Sequence, residues 1–441
     1  MREFKYDTTL KLGANRGKPR IWIEGKRLAE AGFLPGTLFV ADFSDNKIVL
    51  AIRESQDPRM HRKVSGKERD SGPHPIIDMN TAEITKVFPG VERIAVQMTA
   101  GRIEITPART ILQKAKRVLA ATAVALFAGA GLLSKASHDA GFPVVAANEI
   151  HEGYAAVHDV NHGGYMMQSS IEDARLEEVQ KPVGLLVAGI PCEPYSKIRR
   201  NDGTNVKVDK KLAPEAHELG DMAYWFLRGA DILNPHTIVL EEVPEFLTSG
   251  AGCIVQHALR RMGYTVDSRI INAADYGDLT RRTRAVIVAT TFDSVDWPSP
   301  SPTTRVLADI LHPAEDPACE WFTRSTESKS WLFDHWGKQK AKGNNLVSAV
   351  VSYTDATIGT IKKRYLAGQG DNQVVIHPDD ESKAPEAQRY RWLTVLEIKR
   401  LMGLPDDYYM GDTKTLAGDC LGQGVAVTAF TKIIKSVTRT A

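Results

Sequence analysis

Hydrophobic and polar positions follow two different rhythms along this chain. In the first hundred or so residues they fall into short runs: IWIEGKRLAEAGFLPGTLFVADFSDNKIVLAI (Ile21 to Ile52) has an apolar run, a polar turn at Ser44 to Asn46 and another apolar run, the pattern of a β-hairpin. A similar unit, VERIAVQMTAGRIEITP, follows at Val91 to Pro107 with Gly101 in its turn. The polar, proline-bearing stretch between them, RESQDPRMHRKVSGKERDSGPHP (Arg53 to Pro75), reads as a mobile linker. From about Val118 apolar runs are each followed by helical spacing, which predicts strands and helices alternating around a mostly parallel sheet. ATAVALFAGAG opens this region, with Val124 to Phe127 as a buried strand, Ala128 to Gly131 as a turn, and LLSKASHDAG as a helix stopped by Gly141 and Pro143. VVAANE, VGLLVAGIP and TIVLEEV supply further strands at intervals long enough for helical crossovers. After Trp297 the run PSPSPTT breaks the pattern, and regular structure resumes only near Arg391. The expected organisation is a β-rich extension over 1–115, an α/β doubly wound, Rossmann-like domain over 118–296, a smaller inserted domain over 297–388 and a return segment over 389–441.

Composition narrows the class. With 43% apolar and 25% charged residues in 441, the chain is ordinary for a soluble enzyme. No stretch reaches the roughly 20 uninterrupted apolar residues of a spanning helix, so no membrane partner is expected. MREFKYDTTLKLG at the start lacks the apolar core of a secretory signal, which predicts a cytoplasmic protein, prokaryotic or phage-encoded. Cys192, Cys253, Cys319 and Cys420 lie far apart without a C-x-x-C pair, which suggests neither a disulfide framework nor a metal site. Net charge is +2, but residues 1–120 hold 22 Lys/Arg against 14 Asp/Glu, an excess of eight. That asymmetry suits a phosphate backbone, and solvated surface lysines produce it equally well.

Three features carry candidate chemistry. FAGAG (Phe127 to Gly131) joins a strand to a helix N-terminus, where small residues let a cofactor approach the backbone. The next strand ends in Asn148 and Glu149, and a carboxylate there can accept hydrogen bonds from two ribose hydroxyls. GIPCEPYS (Gly189 to Ser196) follows the strand VGLLVA directly, so a proline fixes the backbone before Cys192 at the carboxyl edge of the sheet, where ligands bind. Most lone intracellular cysteines are inert core residues, and the loop position is what sets this one apart.

FAGAG, then Pro-Cys before an aromatic residue and Ser, then a strand ending in Glu-x-Val, stand in the order found in DNA (cytosine-5) methyltransferases, and the chain resembles that family. TIVLEEVPEF resembles the family's Glu-Asn-Val segment, NAADYGDLTRRTRAVIVAT its Gln-x-Arg-x-Arg strand, RWLTVLEIKRLMGLPDDYY its Arg-x-Leu-Thr segment, and GQGVAVTAF its Gly-Asn-x-Val motif. The resemblance covers about residues 119 to 296 and 389 to 441. It implies S-adenosylmethionine as cofactor, double-stranded DNA as partner and a base flipped from the duplex. It makes Cys192 the nucleophile toward carbon 6 of cytosine and gives Glu241 the proton at ring nitrogen 3. Arg284, with Arg282 beside it, would bind the base carbonyl. The implied cofactor residues are Phe127, Ala128, Gly129, Gly131, Glu149, Ile150, Ser170, Ile171, Pro191, Gln423 and Val425. KIRRNDGTNVKVDKK (Lys197 to Lys211) would close over phosphates.

The chain departs from the family at polar positions: Glu193 stands for Gln, Glu242 for Asn, Thr280 for Gln, Gln423 for Asn, and Ser170 where an Asp often reads the adenine amine. The reacting groups are retained, so a divergent but active enzyme is expected. Cytosine methylation in RNA, or a DNA-binding regulator with a vestigial methyltransferase fold, are the alternatives. The GKRLAEAGFLPGTLFVADFSDNKIVL block also resembles swapped-hairpin modules of the AbrB and SymE kind, which implies a homodimer formed by exchanged hairpins.

Overall fold

The computed structural model describes residues 5–15, 17–44, 46–53, 61–69, 72–108, 117–195, 217–341, 350–368 and 373–440. It divides into two compact units, Met1–Lys114 and Ala115–Ala441.

Unit 1 is a structural duplication. Its first half runs β1 (Lys5–Lys11), β2 (Gly13–Asn15), β3 (Lys18–Glu24), α1 (Lys26–Glu30), β4 (Leu38–Ser44) and β5 (Lys47–Ala51). The second half repeats the order as β6 (His61–Lys63), β7 (Ser65–Arg69), β8 (Gly72–Met79), α2 (Ala82–Val87), β9 (Arg93–Thr99) and β10 (Arg102–Pro107). The sheets are ordered β1-β9-β10-β5-β4-β6 and β2-β3-β8-β7, so reading either backwards exchanges every strand for its counterpart. Registers obey the same two-fold relation: Ile21 faces Met79 as Ile77 faces Ile23, and Ile48 faces Ile105 as Ile103 faces Leu50. Each half lends its first strand to the other, β1 pairing with β9 and β6 with β4. Equivalent apolar positions fill one core, among them Leu28 and Ile84, Phe33 and Phe88, and Ile48 and Ile103. This strand exchange between the halves is made within a single chain. The expected linker Arg53 to Pro75 needs correction, because it contains β6, β7 and the start of β8; residues 54–60 lie outside the described set. Polar composition misled here because β6 and β7 are the edge strands of their sheets, where charged residues protect unpaired backbone.

Unit 2 is built on a seven-stranded sheet. Its strands are β11 (Ala123–Leu126), β12 (Val144–Asn148), β13 (Tyr165–Met167), β14 (Leu185–Gly189), β15 (Thr237–Glu242), β16 (Thr265–Asn272) and, after the two-residue β17 (Thr280–Arg281), β18 (Thr283–Thr290). The order is β13-β12-β11-β14-β15-β18-β16, parallel except for β18, which runs antiparallel to both neighbours. Chain direction across the sheet reverses between β11 and β14, the place where open α/β sheets form a ligand crevice. Helices α3 (Leu132–Asp139), α4 (Glu152–His162), α5 (Met222–Leu233) and α6 (Gly250–Arg261) link the strands, and both sheet faces are covered. This explains why β11, β14 and β15 are apolar without alternation.

The segment after Trp297 holds α7 (Ser330–Ala341), β19 (Val350–Val351), β20 (Ile358–Gly359) and β21 (Val374–Ile376), followed by β22 (Tyr390–Arg391), α8 (Val395–Leu401), α9 (Lys414–Gln423) and α10 (Val427–Thr438). Leu307, Ile310, Val351, Ile358 and Tyr365 share a core with Leu393, Ile398 and Leu421, so the insertion and the return segment pack as one body. A fully buried ion pair fixes the join: Arg391 donates from both Nη atoms to Glu397 at 2.8 Å. Glu397 also accepts from the N–H groups of His312 and Thr394, while Thr394 caps α8.

Candidate active site

The carboxyl ends of β11 and β12 lie side by side. After β11 the backbone turns with positive φ at Phe127 (52°), Gly129 (54°) and Gly131 (86°). A Cβ on Gly131 would stand 2.6 Å from the His162 ring, whereas one on Gly129 would meet nothing within 4 Å, so Gly129 presents bare backbone to open space. Glu149, 7% exposed, accepts from the Gly129 N–H at 2.7 Å through Oε2 and from the His151 N–H at 2.8 Å through Oε1. Each oxygen keeps a further lone pair for a ligand hydroxyl. Behind the turn, Tyr408 donates its hydroxyl to the Ala130 carbonyl at 2.9 Å, and His162 Nε2 lies 2.9 Å from the Gly131 carbonyl and 2.8 Å from the Tyr408 oxygen. Both of those oxygens can only accept from His162, which assigns the ring proton to Nε2. His158 Nε2 sits 2.9 Å from Ser134 Oγ. Burial lowers His162 to about 4, and burial followed by the neighbouring His162 charge lowers His158 to about 3, so both rings are neutral at pH 7.

The other expected cofactor residues are more scattered. Ala128 donates its N–H to the Asn148 carbonyl, and Ile150 is 69% exposed. Ser170 donates to Asp173 at 3.1 Å, which leaves a carboxylate next to the position where the family often has one. Ile171 and Val425 are buried, and Pro191 is half-buried. Gln423 donates to the Tyr154 hydroxyl at 3.1 Å. His158, His162 and Tyr408 were not among the sequence expectations. Only Tyr408, inside the LPDDYY stretch, had a motif that could have flagged it.

Three neighbouring strands build the second half of the edge. Gly189 on β14 faces Glu241 on β15, which faces Val286 on β18. Arg284 Nε pairs with Glu241 Oε1 at 2.6 Å, with the two side chains 16% and 12% exposed. Gly189 leaves room for that carboxylate, since a Cβ there would stand 3.3 Å from Glu241 Oε2. Arg282 is nearly inaccessible and donates from its two Nη atoms to the carbonyls of Ile361 and Gly422, both at 3.1 Å. Burial, reinforced by Arg284, lowers its guanidinium to about 9, while Glu241 opposes the shift. It ties β18 to the insertion and to the end of α9. Cys192 has an open face to solvent but is otherwise crowded by protein. Burial and then Glu242, Glu193 and Glu241 push its thiol up to about 12, and Arg284 is the one charge among these that favours the thiolate. Cys192, Glu241, Arg282 and Arg284 thus lie near one another at the sheet edge. The expected closing loop, Lys197 to Lys211, lies outside the described residues.

A glycine-turn crevice beside a loop cysteine, on a sheet with one antiparallel strand next to its edge, defines a Rossmann-like methyltransferase. The model of the C-5 cytosine-specific DNA methylase family matches residues 121–439, and the chain belongs to that family. It is a cytosine-5 methyltransferase. Relatives include the Type II methyltransferase M.MthTI of Methanothermobacter thermautotrophicus, 25% identical over 70% of this chain and 96% of that protein. M.DsaV of Dactylococcopsis salina is 25% identical over 71% and 84%. Among solved structures, the Dnmt2 methyltransferase of S. pombe aligns with a TM-score of 0.54 at 18% identity, covering 74% of this chain and 99% of that one, a likeness of fold.

The residues present fit an adenosyl cofactor. Bare backbone at Gly129 faces open space, Glu149 retains two acceptor positions at the strand end, and the turn is braced from behind by Tyr408 and His162.

Proposed function

We propose that the chain methylates carbon 5 of cytosine in double-stranded DNA, with S-adenosylmethionine as donor and a covalent Cys192 adduct on a flipped-out base. The ion pair of Glu241 and Arg284 beside Cys192 is the observation that carries this reading. Carbon 5 of cytosine is a weak nucleophile until sulfur adds to carbon 6. As the sulfur–carbon bond forms and the thiol proton leaves, electron density moves into the ring and nitrogen 3 takes up a proton. Glu241 holds that proton, and Arg284 donates to the base carbonyl. Arg282 acts through position, because both of its Nη atoms are committed to backbone carbonyls. S-adenosylmethionine, when bound, supplies an electrophilic methyl group for carbon 5. Glu149 would take its ribose hydroxyls, the Gly129 backbone would lie along it, and Ile150, Ile171 and the Ser170–Asp173 pair would surround the adenine. Loss of the carbon 5 proton to a base, with the nitrogen 3 proton returning to Glu241, then reforms the ring double bond and expels the cysteine. Stacked bases hide these carbons, so the target must leave the duplex.

Sequence recognition is assigned to the insertion, where Trp331 is exposed and Lys362, Lys363 and Arg364 cluster. The excess positive charge of residues 1–120 would add backbone contacts.

Incubation with tritiated donor and either duplex DNA or transfer RNA tests the substrate. Label in DNA is expected, and label confined to RNA overturns the reading. A duplex carrying 5-fluorocytosine should trap the wild-type protein and not Cys192→Ser, and bisulfite sequencing of DNA from expressing cells would report the target.

A further inference from the structure

The family pattern places one glutamate at the end of β15, whereas this chain has two, Glu241 and Glu242, and their surroundings differ completely. Side chains alternate along a strand. Ile238 and Leu240 lie in the same cluster as Ile190, Tyr195 and Phe246, so Glu242 points to that face, under the loop that carries Cys192. Glu241 points to the other face and holds Arg284. Glu242 is 2% exposed. Its Oε2 accepts from the adjacent Val243 N–H at 2.6 Å, and its Oε1 has no hydrogen-bond partner among the described residues.

The charges facing Glu242 are Glu241 on its own strand, Glu193 on the cysteine loop and Arg284 on β18; the first two are negative, and Arg284 is already paired with Glu241. A carboxylate that is buried, half-unpaired and next to two others is far more costly than the corresponding acid. Burial first, and then Glu241, accordingly raise the Glu242 carboxyl well above the ordinary carboxylate range. The un-ionised group carries an O–H with no described acceptor. Of the carboxyl groups around the Cys192 sulfur, Glu242 is the one whose ionisation would act on it most strongly.

We propose that Glu242 is a positioning residue for the nucleophile: it works as a neutral acid seated under the Cys192 loop, donating its O–H to the sulfur as the thiolate forms. The two glutamates then divide the work, with Glu241 orienting Arg284 and Glu242 serving Cys192. Ionisation of Glu242 would place a negative charge against the thiolate and close the site from the alkaline side. The inference rests on the assignment of Cys192 as nucleophile, but its main test does not require turnover.

In the full chain, the rate of Cys192 alkylation by iodoacetamide is followed against pH by peptide mass spectrometry, with exposed Cys253 as internal control. Glu242→Gln keeps a neutral donor, so its Cys192 rate at pH 7 should stay within about 3-fold of wild type and continue to rise at alkaline pH where the wild-type rate falls behind. Glu242→Leu keeps the bulk without the donor and should slow Cys192 alkylation by about 10- to 100-fold, the loss expected for one hydrogen bond to a charged partner. Thermal unfolding of all three proteins establishes that they are folded. It also supplies an independent readout, because the stability gained by Glu242→Gln over wild type should grow as pH rises above the ordinary carboxylate range. Identical wild-type and Glu242→Gln profiles would overturn the proposal, as would a Glu242→Gln thiol that reacts about 10-fold faster at pH 7, which would mean that Glu242 is ionised in the wild type. If alkylation follows the expected pattern while no nucleic acid is methylated, the proposed function fails and this assignment stands.

Discussion

The two ends of the active edge are finished to different degrees. At the cofactor end the groups that shape the turn are held: Glu149 accepts two N–H groups, and the Ala130 and Gly131 carbonyls accept from Tyr408 and His162, although His158 Nδ1 is buried without a hydrogen-bond partner among the described residues. At the base end, Glu242 Oε1 and Arg282 Nε are buried without hydrogen-bond partners among the described residues, and burial first, with the carboxyls around it, holds the cysteine as a thiol. A preformed pocket suits a ligand that binds in one pose. Unfinished groups beside a nucleophile suit a substrate that completes the site on arrival, at a cost in stability carried by the free protein.

Substitutions that separate the two ends sharpen this contrast. Cys192→Ser should give the largest effect, reducing methylation by on the order of 10^4 or more as when a covalent nucleophile is removed, while calorimetric titration finds cofactor affinity unchanged. Arg284→Lys, which retains charge but loses the fork, should lower kcat by about 10²- to 10³-fold with the thermal midpoint nearly unmoved, because its pair with Glu241 is partly exposed. Glu149→Ala should do the reverse, weakening cofactor binding by about 100-fold for the loss of hydrogen bonds to a charged acceptor while leaving kcat at saturating cofactor within a few-fold. If Glu149→Ala lowered kcat as much as Arg284→Lys does, the two ends would not be separable. Tyr408→Phe removes one neutral hydrogen bond from behind the turn and should raise the cofactor Kd by about 5-fold, in line with roughly 1 kcal/mol.

What the chain reveals before folding follows the same division. Strand ends, the glycine turn and the cysteine loop are legible because each is a local pattern, and Cys192, Glu241 and Arg284 lie near one another although they come from a loop and two separate strands. Long-range partners leave no local trace: Tyr408 is 278 positions from the carbonyl it holds. The protonation of Glu242 is equally invisible, since it arises from burial and from the charges packed around it. In unit 1 the hairpins are plain, but the duplication is obscured because identities such as Phe33 with Phe88 are few and scattered, and other equivalent core positions differ, as with Leu28 and Ile84. Its edge strands β6 and β7 lack even that pattern.

The histidine pair behind the turn offers the smallest and most specific test of the preformed end. His158 at about 3 and His162 at about 4 lie below the ordinary value near 6.5, so the folded protein binds fewer protons than the unfolded chain between those limits. Stability from this source is complete above pH 6.5 and is lost as pH falls toward 4, with a limiting slope of about 1.4 kcal/mol per pH unit for each ring. Asp278 works in the opposite sense, since burial raises it to about 6 and favours the folded state at lower pH. The histidine contribution is therefore read as a difference: wild type and His158→Gln/His162→Gln are unfolded in denaturant at pH 6.5 and 5.5, and the wild type should lose more stability over that step. The variant's cofactor Kd should meanwhile become less sensitive to the same pH change. Equal losses in both proteins would mean that the rings are solvated or already charged in the folded state, and the cofactor turn would then rest on Tyr408 alone.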